Sequence, residues 1–314
     1  IDTDRSEKIS EAYRTVQILE ETAKAFDQQL KFNGWGAQVD GGKGVVAALD
    51  KLRLETFLVG TALLRVGWAS KLMLQKFFGC LAAIFIFKRL AFACLHHAFK
   101  FLEDMGPGFM ELRGFILDEI RLAILLIPIA VTDIRAPLSP TLKATDATPS
   151  AAGVCTALVP EALSEALYHA AEYRGSHVRL DGRTSLDAVE RLVQQSGDLN
   201  ALVGALPWKT TQSYRFRETS HINLQECRAL RDELRRMVHS GAASERHLFL
   251  LDSMVTIGAV SKGRSSSFKL NGILWSIMGY ALTADIELSL LWIATDRSPA
   301  DYPSRFRDLP LREP

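Results

Sequence analysis

Cysteine is scarce in this chain and never paired. The 314 residues hold four, Cys80, Cys94, Cys155 and Cys227, with no CxxC among them. That excludes a disulfide frame and a zinc site, and is the usage of reduced, buried thiols in an intracellular protein. An excess of charge is missing too: the formal net charge is +1, so any nucleic-acid surface has to be a local basic patch. Uninterrupted apolar runs of membrane-spanning length, about twenty residues, do not occur. Phe77 to Phe99 is broken by Lys88-Arg89 and His96-His97, and Leu122 to Val131 is only ten residues long, so both are expected to be buried helices. The charged amino-terminal IDTDRSEKISEAYR has no signal core, so a cytoplasmic or nuclear location without membrane is expected. It also lacks an initiator methionine, as a fragment or processed piece would. Internal repeats and low-complexity tracts are absent, and no Asp-Asp pair occurs.

What is present is nearly half apolar, 48%, enough for a sizeable core and two domains. Glu7 to Leu30 reads as one amphipathic helix. Asp40-Gly41-Gly42 marks one small hairpin within Lys31 to Ala47. Leu49 to Asp104 is helical in about three segments, with breaks at Gly67 to Ser70 and near Gly79. Met105-Gly106-Pro107-Gly108 is a stop, and one more helix ends at Pro128. A proline-rich link, Thr132 to Gly153, then changes the period. LKATD is a strand ending on Asp146, and VCTALV is a second strand after a turn. A helix follows from Pro160 to Tyr173, then a polar insert to Leu206 with a helix at Ser185 to Gln195. KTTQSYRFRETS alternates as a strand, and INLQECRALRDELRRMVHS is an amphipathic helix carrying Glu226 one turn inside its start.

The chain is organised around HLFLLDSMVTIGAVSKGRSSS, His247 to Ser267. His247 to Leu251 reads as a buried strand that stops on Asp252, and Ser253 is placed to cap a short helix. An acid at the carboxyl end of such a strand sits where open α/β sheets hold ligands and metals. Most such acids only cap the next helix; this one has company. If the strands ending on Asp146 and Asp252 are parallel neighbours, both acids face one end of the sheet, and a helix packed across that end delivers Glu226 between them. Carboxylates forced together repel unless a cation holds them, and oxygen-only clusters suit magnesium or manganese. The basic and hydroxyl run Lys262, Arg264, Ser265, together with Arg228, could contact phosphate oxygens. ELSLLWIA is a last strand, and SPADYPSRF opens a closing turn that carries Asp301.

TLKATDAT, HINLQECRAL, LFLLDSMVTIGAVSKGRSSSFKLN and SPADYPSR together resemble, in order, the ribonuclease H domain of retroelement reverse transcriptases, of the retrotransposon and pararetrovirus type. FNGWGAQVDGGKG and the helices after it resemble the end of the palm, the thumb and the connection. The resemblance implies an α/β fold: a ribonuclease H-like mixed five-stranded sheet with flanking helices over 138–307, preceded by a mostly helical thumb/connection-like region over 1–137, with a tail at 308–314. It implies Asp146, Glu226, Asp252 and Asp301 as catalytic ligands of two Mg2+ or Mn2+ ions, cutting the RNA strand of an RNA–DNA hybrid. It also implies the rest of a reverse transcriptase polyprotein as partner. The polymerase's paired aspartates are missing, so polymerisation is not expected. The family's closing motif has asparagine where this chain has Ser298, and the short Thr295-Asp296-Arg297 loop lacks the histidine of cellular ribonucleases H.

Two other classes stay open: a catalytically inactive nucleic-acid-binding or scaffold remnant of the same fold, and an integrase or transposase of related fold. Among single residues, His221 reads as a structural helix start. Trp275 and Trp292 read as core, and Trp35 as the aromatic exposed in its glycine-flanked hairpin. Arg228, Arg231, Arg235 and Arg236 read as either a solvated helix face or a phosphate track.

Overall fold

The computed structural model describes residues 3–17, 29–172 and 201–310. Helix α1 (Thr3–Thr15) covers part of the helix expected from Glu7 to Leu30; positions 18–28 lie outside the described residues, as does the helix expected at Ser185 to Gln195. The single hairpin expected next is a larger unit. Strands β1 (Lys31–Gly34), β2 (Ala37–Asp40) and β3 (Val45–Ala48) form an antiparallel sheet that β6 (Val131–Asp133) closes from far along the chain. Between β1 and β2, Trp35 and Gly36 have φ of 47° and 77°, the pair of positive values a two-residue turn with matching twist requires. The Trp35 indole stands fully in solvent, as its flanking glycines indicated.

Helices α2 (Asp50–Val66), α3 (Lys71–Phe85), α4 (His96–Asp104) and α5 (Gly114–Leu126) build the rest of the upstream region, with β4 (Trp68–Ser70) and β5 (Phe109–Glu111) as a two-stranded ribbon. The break at Gly67 to Ser70 is real: Gly67 ends α2 with φ 70°, and Ser70 caps α3 by accepting from the Met73 amide. The break expected near Gly79 is not. Gly79 sits inside α3, where burial of Phe77, Phe78 and Leu81 outweighs the weak helix preference of glycine.

The second sheet draws every strand from Thr141 onward. Its order is β11 (Glu287–Trp292), β10 (Arg246–Leu251), β7 (Thr141–Ala147), β8 (Ala151–Leu158), β9 (Lys209–Arg215). β7, β8 and β9 run antiparallel as a meander, while β10 and β11 run parallel to β7. This is the mixed five-stranded sheet with flanking helices that the resemblance implied. The turn after β7 is shorter than expected, because Ala151, Ala152 and Gly153 already belong to β8. Helix α6 (Glu161–Ala170) follows β8, α7 (Ile222–His239) precedes β10, and α8 (Met254–Lys262) and α9 (Phe268–Thr283) link β10 to β11. A four-residue helix, α10 (Asp301–Ser304), closes the described chain.

The two regions keep separate sheets but share one apolar cluster. Phe85, Ile116 and Ile120 from upstream pack in the same body as Leu234, Phe249, Leu274 and Ile277. Each such side chain is worth about 1.5–3 kcal/mol on burial. Polar ties cross the same junction: the buried Asn271 amide donates to the Ala93 carbonyl at 2.9 Å, and Lys88 pairs with Asp285 at 2.7 Å. Gly263, in the left-handed region at φ 71°, lies so close to the Arg89 carbonyl that no side chain fits between them. Trp275 and Trp292 are not core; they are 54% and 38% exposed. The buried stripe of α9 is Leu270, Ile273, Leu274, Ile277, Met278 and Ala281, which leaves Trp275 on the outer side, and Trp292 ends its strand facing away from Leu291.

Candidate metal centre

β7 and β10 are buried along nearly their whole length, so an acid in or beside either is costly. Both acids fall at the carboxyl ends. The parallel register pairs Leu250 with Ala144, and two residues further on each strand stand Asp252 and Asp146, side by side at one edge of the sheet. Helix α7 crosses that edge and brings Glu226, whose Oε1 accepts from the Ala147 amide at 3.2 Å. His221 caps α7, its ring accepting from the Asn223 amide at 3.3 Å, which is the structural role read for it. Ser253 caps α8 through the Thr256 amide at 3.3 Å, as its position implied.

Asp146, Glu226 and Asp252 each offer a carboxylate oxygen, all within 4.8 Å of one another. Asp146 and Glu226 are buried, at 3% and 4% exposure, and Asp252 is half-buried. Burial and mutual repulsion push the group up the pH scale. Glu226 rises to about 9, through burial first and then the charges of Asp146 and Asp252. Asp146 rises to about 7, again mainly by burial, with a Ser304 hydrogen bond pulling the other way. Asp252 is raised by burial and by Asp301. Asp146 Oδ2 and Glu226 Oε2 are buried without a hydrogen-bond partner. An all-oxygen set of crowded acids with unsatisfied lone pairs fits a hard divalent cation.

Asp301 is not within that group of three. It opens α10, and its Oδ1 is held by Arg305, with Nη2 at 2.7 Å and Nε at 2.9 Å. It lies near enough that its charge still raises Asp146 and Asp252. The seat of α10 is Gly153, the register partner of Asp146 on β8. A Cβ there would come within 2.3 Å of the Ser304 amide nitrogen and 2.5 Å of the Ala300 carbonyl oxygen. Sequence reading passed over Gly153, although a glycine inside a strand signals close backbone approach. Gly153→Ala is expected to lower stability by about 1–3 kcal/mol, as overpacking does, and to lift the closing helix. Urea unfolding checks this, and an unchanged midpoint would mean that α10 is not seated there.

The basic residues singled out earlier divide. Arg228 donates to Gln225 Oε1 at 2.8 Å, while the buried Gln225 amide donates to the carbonyls of Pro149 and Glu218, bracing the turn beside the acids. Arg231 and Arg236 are committed to Asp232 and Glu233, and Arg235 is the exposed member of the four. Lys262 and Arg264 line an open groove of about 940 Å3 between α4 and the α8–α9 segment; Arg264 also lies over the Phe99 ring at 5.1 Å. Ser265 lines it too, but its amide donates to Asn271 and its hydroxyl accepts from the Ser267 amide. The groove begins at Met254 and Val255, directly after the Asp252 turn.

Among the described residues no helix is long and apolar enough to cross a membrane. No protein-family model matches the chain, and no curated protein does. Among solved structures it is similar to a foamy viral protease-reverse transcriptase in complex with an RNA/DNA hybrid. The identity is 9% and the TM-score 0.31, over 94% of this chain and 55% of the other, so the chain spans just over half the length of that structure.

Proposed function

We propose that this chain is a metal-dependent endonuclease that cleaves the RNA strand of RNA–DNA hybrids, part of a retroelement reverse transcriptase polyprotein and without its polymerase centre. The observation that carries the proposal is the convergence of Asp146, Glu226 and Asp252 at the carboxyl end of two neighbouring parallel strands. These residues would hold Mg2+ or Mn2+, with Asp301 completing the set from α10. Two such ions, when bound, supply Lewis-acid stabilisation and a water nucleophile at neutral pH. The chain's own part is to keep the acids close, dry and aimed at one edge. Glu226, whose protonated form burial and its acidic neighbours favour, would give up that proton in exchange for a bound cation.

The groove beside Asp252 supplies a path for the nucleic acid. Lys100, Lys262 and Arg264 can meet phosphates, and the exposed Phe268 offers a face for a base, against one acid, Glu103. In this reading 1–137 and 138–307 are the thumb/connection-like and nuclease regions, joined along their common apolar cluster. Purified protein incubated with Mg2+ and end-labelled hybrid, RNA duplex and DNA duplex tests it. Cleavage confined to the RNA strand of the hybrid is expected. The second reading, a silent scaffold remnant, draws on the Arg305 pairing that already neutralises Asp301, which stands outside the group of three acids. Hybrid binding without cleavage in Mg2+ or Mn2+ would select it.

A further inference from the structure

Beneath the acid cluster lies a second charged group that the proposed chemistry does not use. Lys143 on β7 and Glu233 on α7 are 8% and 0% exposed and pair at 3.2 Å, and Arg236 grips both oxygens of Glu233, at 2.6 and 2.8 Å. His247, beside Lys143, is held neutral by burial and by that lysine's charge. A buried ion pair is poor evidence for stability, because desolvating both charges offsets most of their attraction; its best-attested use is to fix register.

The spacings show what register is at stake. Along β7, Asp146 lies three residues beyond Lys143, roughly 10 Å at strand rise. Along α7, Glu226 lies seven residues before Glu233, roughly 10.5 Å at helix rise. Strand and helix therefore meet at two rungs: Lys143 with Glu233 below, and the Ala147 amide with Glu226 above, where Asp146, on the opposite face of β7 from Lys143, comes close to the same carboxylate at the strand's end. The upper rung has one backbone hydrogen bond to hold it and crowds two acids whose ionised forms repel. Sliding by a single strand residue, roughly 3.3 Å, would break the lower rung.

We propose that Lys143, Glu233 and Arg236 are positioning residues: a buried ionic latch that locks β7 against α7 and so holds Asp146 and Glu226 close enough to share a cation. The consequence for metal rests on the metal-centre reading above; the register itself does not. Two readouts on the full chain separate them. Mn2+ affinity, by calorimetry, is expected to fall about tenfold in Lys143→Met, as for residues that orient ligands without touching metal, and to stay within about twofold in Lys143→Arg. In metal-free protein, exchange of the Ala147 amide, which donates to Glu226, is expected to quicken at least tenfold in Lys143→Met while amides of β10 keep their protection.

Should Lys143→Met fail to fold, Arg236→Gln decides the matter. It loosens Glu233 without stranding a buried charge, and a roughly threefold loss of Mn2+ affinity with faster Ala147 exchange is expected. Wild-type affinity and Ala147 exchange in a folded Lys143→Met, or in Arg236→Gln where Lys143→Met does not fold, would overturn the latch. Wild-type protein that binds no Mn2+ would remove the metal centre instead, and Ala147 exchange would still judge the latch.

Discussion

Asp252→Asn is expected to leave the fold intact and to lower hybrid cleavage on the order of a thousandfold, about 4 kcal/mol of transition-state stabilisation. The substitution keeps the side chain's shape at a half-buried position and removes one charge from a crowded group. Metal-free Asp252→Asn should therefore melt at or above wild type, because the burial and the Asp301 charge that raise the Asp252 pKa oppose its ionised form. Asp301→Asn should cost less, on the order of tenfold, since Asp301 spends its charge on Arg305 and stands outside the three-acid group. Rates on one labelled hybrid, with melting temperatures measured alongside, check all three statements. Wild-type cleavage by Asp252→Asn would remove it from the centre, and a lower melting temperature would mean that its carboxylate stabilises the fold.

Without metal, the melting temperature is expected to fall as the pH climbs from about 5 to about 9, by on the order of 10 °C in total. Asp146 and Glu226 have ordinary values of 3.8 and 4.5 and folded values of about 7 and about 9. In that window the folded chain binds more protons than the unfolded one, so raising the pH favours unfolding. The stability the protonated acids supply is complete below about pH 4 and is lost through about 7 for Asp146 and about 9 for Glu226. Millimolar Mn2+ should cancel most of the fall above pH 7, since a cation bound only by the folded state takes the place of the protons. Glu226→Gln, an imitation of the protonated acid, should flatten the metal-free slope above pH 7. A melting temperature indifferent to both pH and Mn2+ would show that these acids are neither crowded nor a cation site.

Much of the element order was legible in the chain, because local signals carried it. Apolar runs ending on Asp146 and Asp252 announced buried strands, and hydroxyls such as Ser253 announced helix starts. The signals failed where packing overrode propensity. Gly79 remained helical because its neighbours are buried, and β6 joined the first sheet from far along the chain, Asp133 pairing with Val45. Trp275 was misplaced for a related reason: an apolar helix such as α9 does not declare which of its sides meets the core.

The acids themselves, their ends of strand and their helix turn are properties of the sequence, since strand and helix periods follow from neighbours along the chain. Their convergence depended on two conditions, that β7 and β10 be parallel neighbours and that α7 cross their end, and only tertiary packing could meet them. Tertiary structure alone also seated α10 on Gly153. It likewise placed Lys143 against Glu233, ninety residues apart, because register between a strand and a helix is set by packing and buried charge that no local pattern encodes.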